Sequence, residues 1–130
     1  MRKLTMACLA LLPSVAPAAE WEVVAHLTTG ARIEIDAGSI MDADFGRIRA
    51  WFKETHPTPR ALDFQQLLHY SEALRLYVFD CKKRRYGTLQ AIFRNTSGDV
   101  IYQFSNRYPE MADVAPETAA EAMIDRVCIR

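Results

Sequence analysis

The chain is poor in the residue patterns that announce chemistry. Its 130 residues include only three cysteines, none spaced C-x-x-C, so thiol–disulfide exchange has no carrier. Neither a G-x-S-x-G elbow nor a P-loop occurs, which removes two common sites for nucleophilic and phosphate chemistry. His26, His56 and His69 are widely separated and lack the i, i+4 spacing of a helical metal pair. The expectation is no metal, no cofactor and no enzymatic activity. An excess of one charge is missing too: 16 basic residues face 16 acidic ones, and nothing in that balance calls for nucleic acid. No apolar run approaches the roughly 20 residues of a membrane-spanning helix. Repeats, low-complexity tracts and linkers are also absent, so the length suits one domain with a single core.

What is present begins with an export signal. Arg2 and Lys3 precede an apolar run from Leu4 to Leu12, and Ala16, Pro17 and Ala18 give an A-x-A arrangement. This is the layout of a secretory signal peptide, with cleavage expected after Ala18 and a domain from 19 to 130. Cys8 precedes most of the apolar run, whereas a lipid-modified cysteine follows it, so no lipid anchor is expected. Removal of residues 1–18 takes Arg2 and Lys3 and no acidic residue, leaving 14 basic against 16 acidic side chains, about −2. The same cut discards Cys8 and leaves Cys81 and Cys128, an even number in a chain sent to an oxidising compartment. They are expected to pair. The loop they close makes the bond worth roughly 4 kcal/mol in the chain-entropy model.

Alternation of apolar and polar residues predicts strands along most of the chain. Residues Trp21 to Thr28 and Arg32 to Asp36, separated by a turn at Gly30, read as a hairpin. A third strand fits Arg47 to Thr55, ended by Pro57 and Pro59, and His56 to Leu68 reads as a loop with room for one helical turn. From Ser71 to Cys81 both faces are apolar, which predicts a central strand covered on both sides. Arg85 to Arg94 and Asp99 to Ser105 complete an antiparallel meander around the turn Asn95–Gly98. Pro116 suits the first position of a closing helix, and Ala120, Met123, Ile124 and Val127 recur at helical spacing. Cys128 lies four residues beyond Ile124, on the side that faces the sheet. The expected fold is α+β: an antiparallel sheet of about six strands, a C-terminal helix packed on it and one disulfide.

Few side chains offer a site. Lys82, Lys83, Arg84 and Arg85 form the densest charge run and could hold a sulfated polysaccharide, an acidic protein or anionic headgroups; the competing reading is a solvated strand end. Asp80 has no second carboxylate or histidine placed near it, so it reads as a hydrogen-bond acceptor for backbone or a nearby arginine. Asp36, ahead of Gly38, reads as a turn-closing side chain. Trp21, Trp51, Tyr70, Tyr77, Tyr86 and Phe104 could line a groove for a flat ligand such as haem, but aromatics on strands more often fill a core.

The run VFDCKKRRYGTLQAIF from Val78, the closing VC at Val127–Cys128, the opening Trp21, the IDAGSI segment from Ile35 and Trp51 in a charged strand resemble the surface-adhesin protein E family of proteobacteria. The resemblance implies a small antiparallel sheet with a helix, export to the envelope and bonded cysteines, here Cys81 and Cys128. It also implies attachment to host matrix proteins, although the lipobox of the family's lipoprotein members is missing here. The function expected is therefore an exported, non-enzymatic binding module of the bacterial envelope, placed in the periplasm ahead of the cell surface, with a protein or polysaccharide partner. The alternative is a structural envelope protein, a homodimer through an exposed sheet edge, with no soluble ligand.

Overall fold

The computed structural model describes residues 18–129; the expected signal peptide, but for Ala18, lies outside the described residues. The strands are β1 (Trp21–His26), β2 (Arg32–Asp36), β3 (Met41–Asp42), β4 (Ile48–Ala61), β5 (His69–Asp80), β6 (Arg85–Arg94), β7 (Val100–Ser105) and β8 (Ala112–Asp113), followed by α1 (Ala119–Cys128). They form one antiparallel sheet in the order β1-β2-β4-β5-β6-β7, with β3 on β4 and β8 on β6. The expected α+β class holds: six strands form the path, and two residue pairs are added beside it.

Register fixes which side chains share a face. Ile35 lies opposite Phe52, Phe52 opposite Arg75 and Ala50 opposite Tyr77. On this face Ile33, Ile35, Ala50, Phe52 and Phe79 pack against Met123, Ile124 and Val127 of α1. The helical stripe read from the sequence is thus the stripe that is buried. Cys81 and Cys128 are bonded across a Cα–Cα distance of 5.8 Å, joining the end of β5 to the last turn of the helix.

Four expectations need correction. Pro57 and Pro59 do not end the third strand, because β4 continues to Ala61. The prolines are tolerated there for two reasons: β2 stops pairing with β4 at Thr55, and pairing with β5 is irregular between Thr55 and Arg60, so neither ring removes a ladder bond. Pro57 instead packs by the β1–β2 turn, where Gly30 has φ +88° and a methyl group would meet the Pro57 ring at 3.3 Å. The helix starts after Thr118, not at Pro116. Thr118 Oγ1 accepts a hydrogen bond from the Glu121 amide, whereas Glu117 has φ 59° and lies outside the helix. The first strand closes at His26, two residues early. Finally, β5 is central, but the helix covers only one of its faces. On the other, Val78 is buried while Leu74 and Leu76 are half-buried.

The cover on that second face comes from the loop between β7 and β8. Val78 lies opposite Gly87 of β6, and a methyl group on Gly87 would sit 2.9 Å from Met111 Sδ and 3.0 Å from the Glu110 carbonyl oxygen. Glycine is what lets the loop lie flat on the sheet.

Candidate functional site

The basic run falls where β5 turns into β6. Cys81 to Arg84 make the turn, Arg84 with φ 51°, and all four cations are exposed. Asp80 Oδ1 accepts a hydrogen bond from the Lys83 amide at 3.0 Å, a local role of the kind its sequence position suggests. The Cys81–Cys128 bond ties the start of the turn to α1. Arg84 reaches Asp125 of α1 at 3.0 Å, and Arg85 reaches Asp113 of β8 at 2.8 Å. The four cations are therefore not equivalent: two arginines are engaged by carboxylates from other elements, while Lys82 and Lys83 belong to no ion pair among the described residues. An exposed ammonium held on a fastened turn can meet an anion without first breaking an internal pair.

Beside this turn lies an open cleft of about 750 Å³ lined by Lys82 and Lys83, by Phe45 and Arg47 and by the two bonded cysteines. Phe45 and Arg47 also line a second groove of about 740 Å³ on the sheet face away from α1. Neither residue was singled out by the sequence. Phe45 sits between Asp44 and Gly46 in what reads as a turn, and the arginine reads as the first residue of an ordinary alternating strand.

A different cluster lies on the helix side. Glu54 accepts from Arg75 Nη1 at 2.5 Å and is hydrogen-bonded to the buried His56, whose ring meets Tyr70 edge-on at 5.4 Å. Burial alone would raise the Glu54 pKa, but the Arg75 guanidinium and the hydrogen bonds from His56 and Arg75 outweigh it and hold the carboxyl below its ordinary range. Burial pushes the Tyr70 phenol up, and the Glu54 charge adds to the rise. The cavity that Glu54 and Arg75 line is about 10 Å³, the space of one water, too small for a substrate. The signal that could have found it is phase: Glu54 and His56 follow Phe52 at even spacing on the inward face, as Arg75 does between Ala73 and Tyr77.

The remaining sequence candidates do not converge. Trp21 stacks under Lys53, with Nζ 4.4 Å from the ring, while Tyr77 and Tyr86 pack with Phe79 and Phe104 adjoins Tyr102 on β7. No single groove gathers the six aromatics. Asp36 accepts from the Gly38 amide at 3.2 Å and closes a turn. Among the described residues no group of three or more His, Cys, Asp or Glu is placed to hold a metal ion, and no helix is long and apolar enough to cross a membrane.

Comparison with known proteins gives one family and one fold. The family model described as surface-adhesin protein E matches residues 21–129. No curated protein sequence matches. Solved structures of Haemophilus influenzae protein E superpose with a TM-score of 0.55 at 10% identity, covering 88% of this chain and 90% of that one. A second crystal form of that protein gives 0.56 at 10% identity, covering 88% and 94%. At such identity the likeness concerns the fold alone.

Proposed function

Because the chain belongs to the surface-adhesin protein E family, we propose that it is an exported binding module of the bacterial envelope that attaches to an anionic protein or polysaccharide without catalysis. The observation that carries this reading is the division of labour in the β5–β6 turn. Arg84 and Arg85 fasten the turn to α1 and β8, and Lys82 and Lys83 are the cations left for a partner. The family supports attachment, and the A-x-A segment ending at Ala18 supports export.

Two measurements test it. The oxidised mature chain, residues 19–130, should be retained on immobilised heparin at low salt, and the double substitution K82A/K83A should abolish retention. Equal retention of the variant removes the lysines from the proposal. Protease added to intact cells expressing the native chain tests the location. Cleavage supports surface attachment, and protection until the outer membrane is permeabilised places the partner inside the envelope.

One observation favours a second reading, a structural homodimer. The outer edge of β7 is unpaired among the described strands, and Val100, Tyr102 and Phe104 are exposed along it. Light scattering on the mature chain distinguishes a dimer from a monomer.

A further inference from the structure

The groove on the sheet face away from α1 has a floor, two walls and an unusual lip. Leu76, Val78 and Leu89 make its floor, residues 42–49 form one wall and the loop 105–111 forms the other. The second wall is fastened, since its Pro109–Met111 segment lies directly against Gly87. Each wall carries an aromatic ring in solvent: Phe45 is 86% exposed and Tyr108 is 79% exposed. Each ring has a guanidinium over it, Arg47 at 5.7 Å from Phe45 and Arg107 at 5.9 Å from Tyr108. Arg49 reaches the Met41 thioether at 2.9 Å, and Asp42 and Asp44 leave the lining one cation ahead.

Two features of the Phe45 wall go beyond what the contact between Phe45 and Arg47 accounts for. Phe45 adopts φ 63°, a left-handed conformation unfavourable for a bulky side chain, yet its ring is hardly buried. Arg47 Nε is buried and donates to nothing. A core residue in such a conformation is compensated by packing, and a buried donor by an acceptor. Here both would be compensated by a ligand that lies against Phe45 and offers oxygen atoms to the arginine, once the side chain turns to meet it.

We propose that this groove binds an extended acidic segment of a partner protein, with an apolar side chain seated on Leu76 and Val78 and carboxylates held by Arg47 and Arg107. Alternation in an extended peptide supplies that geometry, because successive side chains point to the floor and to the rim in turn. A row of aliphatic side chains along the floor matches the alternate apolar side chains of a peptide more closely than a sulfated sugar, whose surface is dominated by sulfates and hydroxyls, and this favours a peptide. The volume is that of a ligand-sized cleft. The groove shares Phe45 and Arg47 with the cleft beside the Lys82–Lys83 turn, but Leu76, Val78, Arg107 and Tyr108 belong to the groove and the two lysines to the cleft, so substitutions in each set separate the two proposals.

The test uses the oxidised mature chain and three probes: a fluorescein-labelled hexapeptide alternating glutamate and leucine, a labelled hexaglutamate, and a heparin-derived hexasaccharide as competitor. Fluorescence anisotropy should report saturable binding of the alternating peptide and binding of hexaglutamate at least about tenfold weaker. Arg107→Glu and Tyr108→Ala lie on an exposed loop and should each weaken binding about tenfold with unchanged thermal unfolding, the loss typical of an arginine or aromatic anchor. The proposal is overturned by no saturable binding, by hexaglutamate binding equally well, by displacement with the hexasaccharide as effective as with unlabelled peptide, or by indifference to both loop substitutions.

Discussion

The two faces of the sheet start from similar material and end differently. Along β5, Tyr77 and Phe79 point to one side and Leu76 and Val78 to the other, yet the first pair is sealed by α1 and the second is shared between a loop and an open groove. The helix side carries the interlocked core of Phe52, Phe79, Ile124 and Val127, closed by a covalent bond at its end. On the opposite side Val78 is covered where Gly87 admits the loop, and the floor beside it stays open between that loop and residues 42–49. Apolar residues on both faces of a strand therefore say that it is central, but not that both faces are equally dry. Structure is concentrated on the first side, and the groove lies on the second.

Substitutions can sharpen or break this contrast. Removing the disulfide with C81S/C128S should cost the most, roughly 4 kcal/mol in urea denaturation, because the bond closes a long loop in the unfolded chain. Next, Ile124→Ala on the helix side should cost about 3 kcal/mol, while Leu76→Ala in the groove should cost about 1 kcal/mol, since a half-buried side chain loses less contact and leaves no closed cavity. Equal losses would mean that the second face is as tightly packed as the first. Gly87→Ala should cost about 2 kcal/mol and raise hydrogen exchange in residues 106–111, because the added methyl group must displace the loop. A loss without loop exchange would place the strain elsewhere.

The smallest effect concerns pH. Glu54 titrates below its ordinary value of 4.5 in the folded chain, so its pairing with Arg75 and His56 contributes stability that is present above that value and lost as the pH falls through the lower folded value. Stability measured from neutral pH into this acid range should fall more steeply for the native chain than for Glu54→Gln. Parallel curves would show that the cluster does not set the acid limb.

Much of this was legible in the sequence for physical reasons that differ by element. The β6 strand ran from Arg85 to Arg94 as read, because period-two alternation is bounded there by the basic turn and by Asn95, whose side chain accepts from the Ser97 and Asp99 amides. The helix stripe and the bonded cysteines followed from spacing and from parity. Pro57 and Pro59 misled because a proline is read as a breaker wherever a ladder is assumed, and here the ladder itself is interrupted. Of the candidate site, the lysines were legible as charge, but not their separation from Arg84 and Arg85. That separation depends on Asp113 and Asp125, which lie 28 and 41 residues away and meet the arginines only through the fold. The groove was invisible because its walls come from segments more than fifty residues apart, each resembling an ordinary turn.

The most direct test of the account is the salt dependence of binding between the oxidised mature chain and a heparin-like polyanion. Each cation that meets the polymer releases about one counterion, so the slope of log affinity against log salt counts the contacts. The account predicts that K82A/K83A lowers this slope by about two, while R84A/R85A leaves it nearly unchanged and reduces stability instead. A slope that is unmoved by the lysines, or that falls with the arginines, would contradict it.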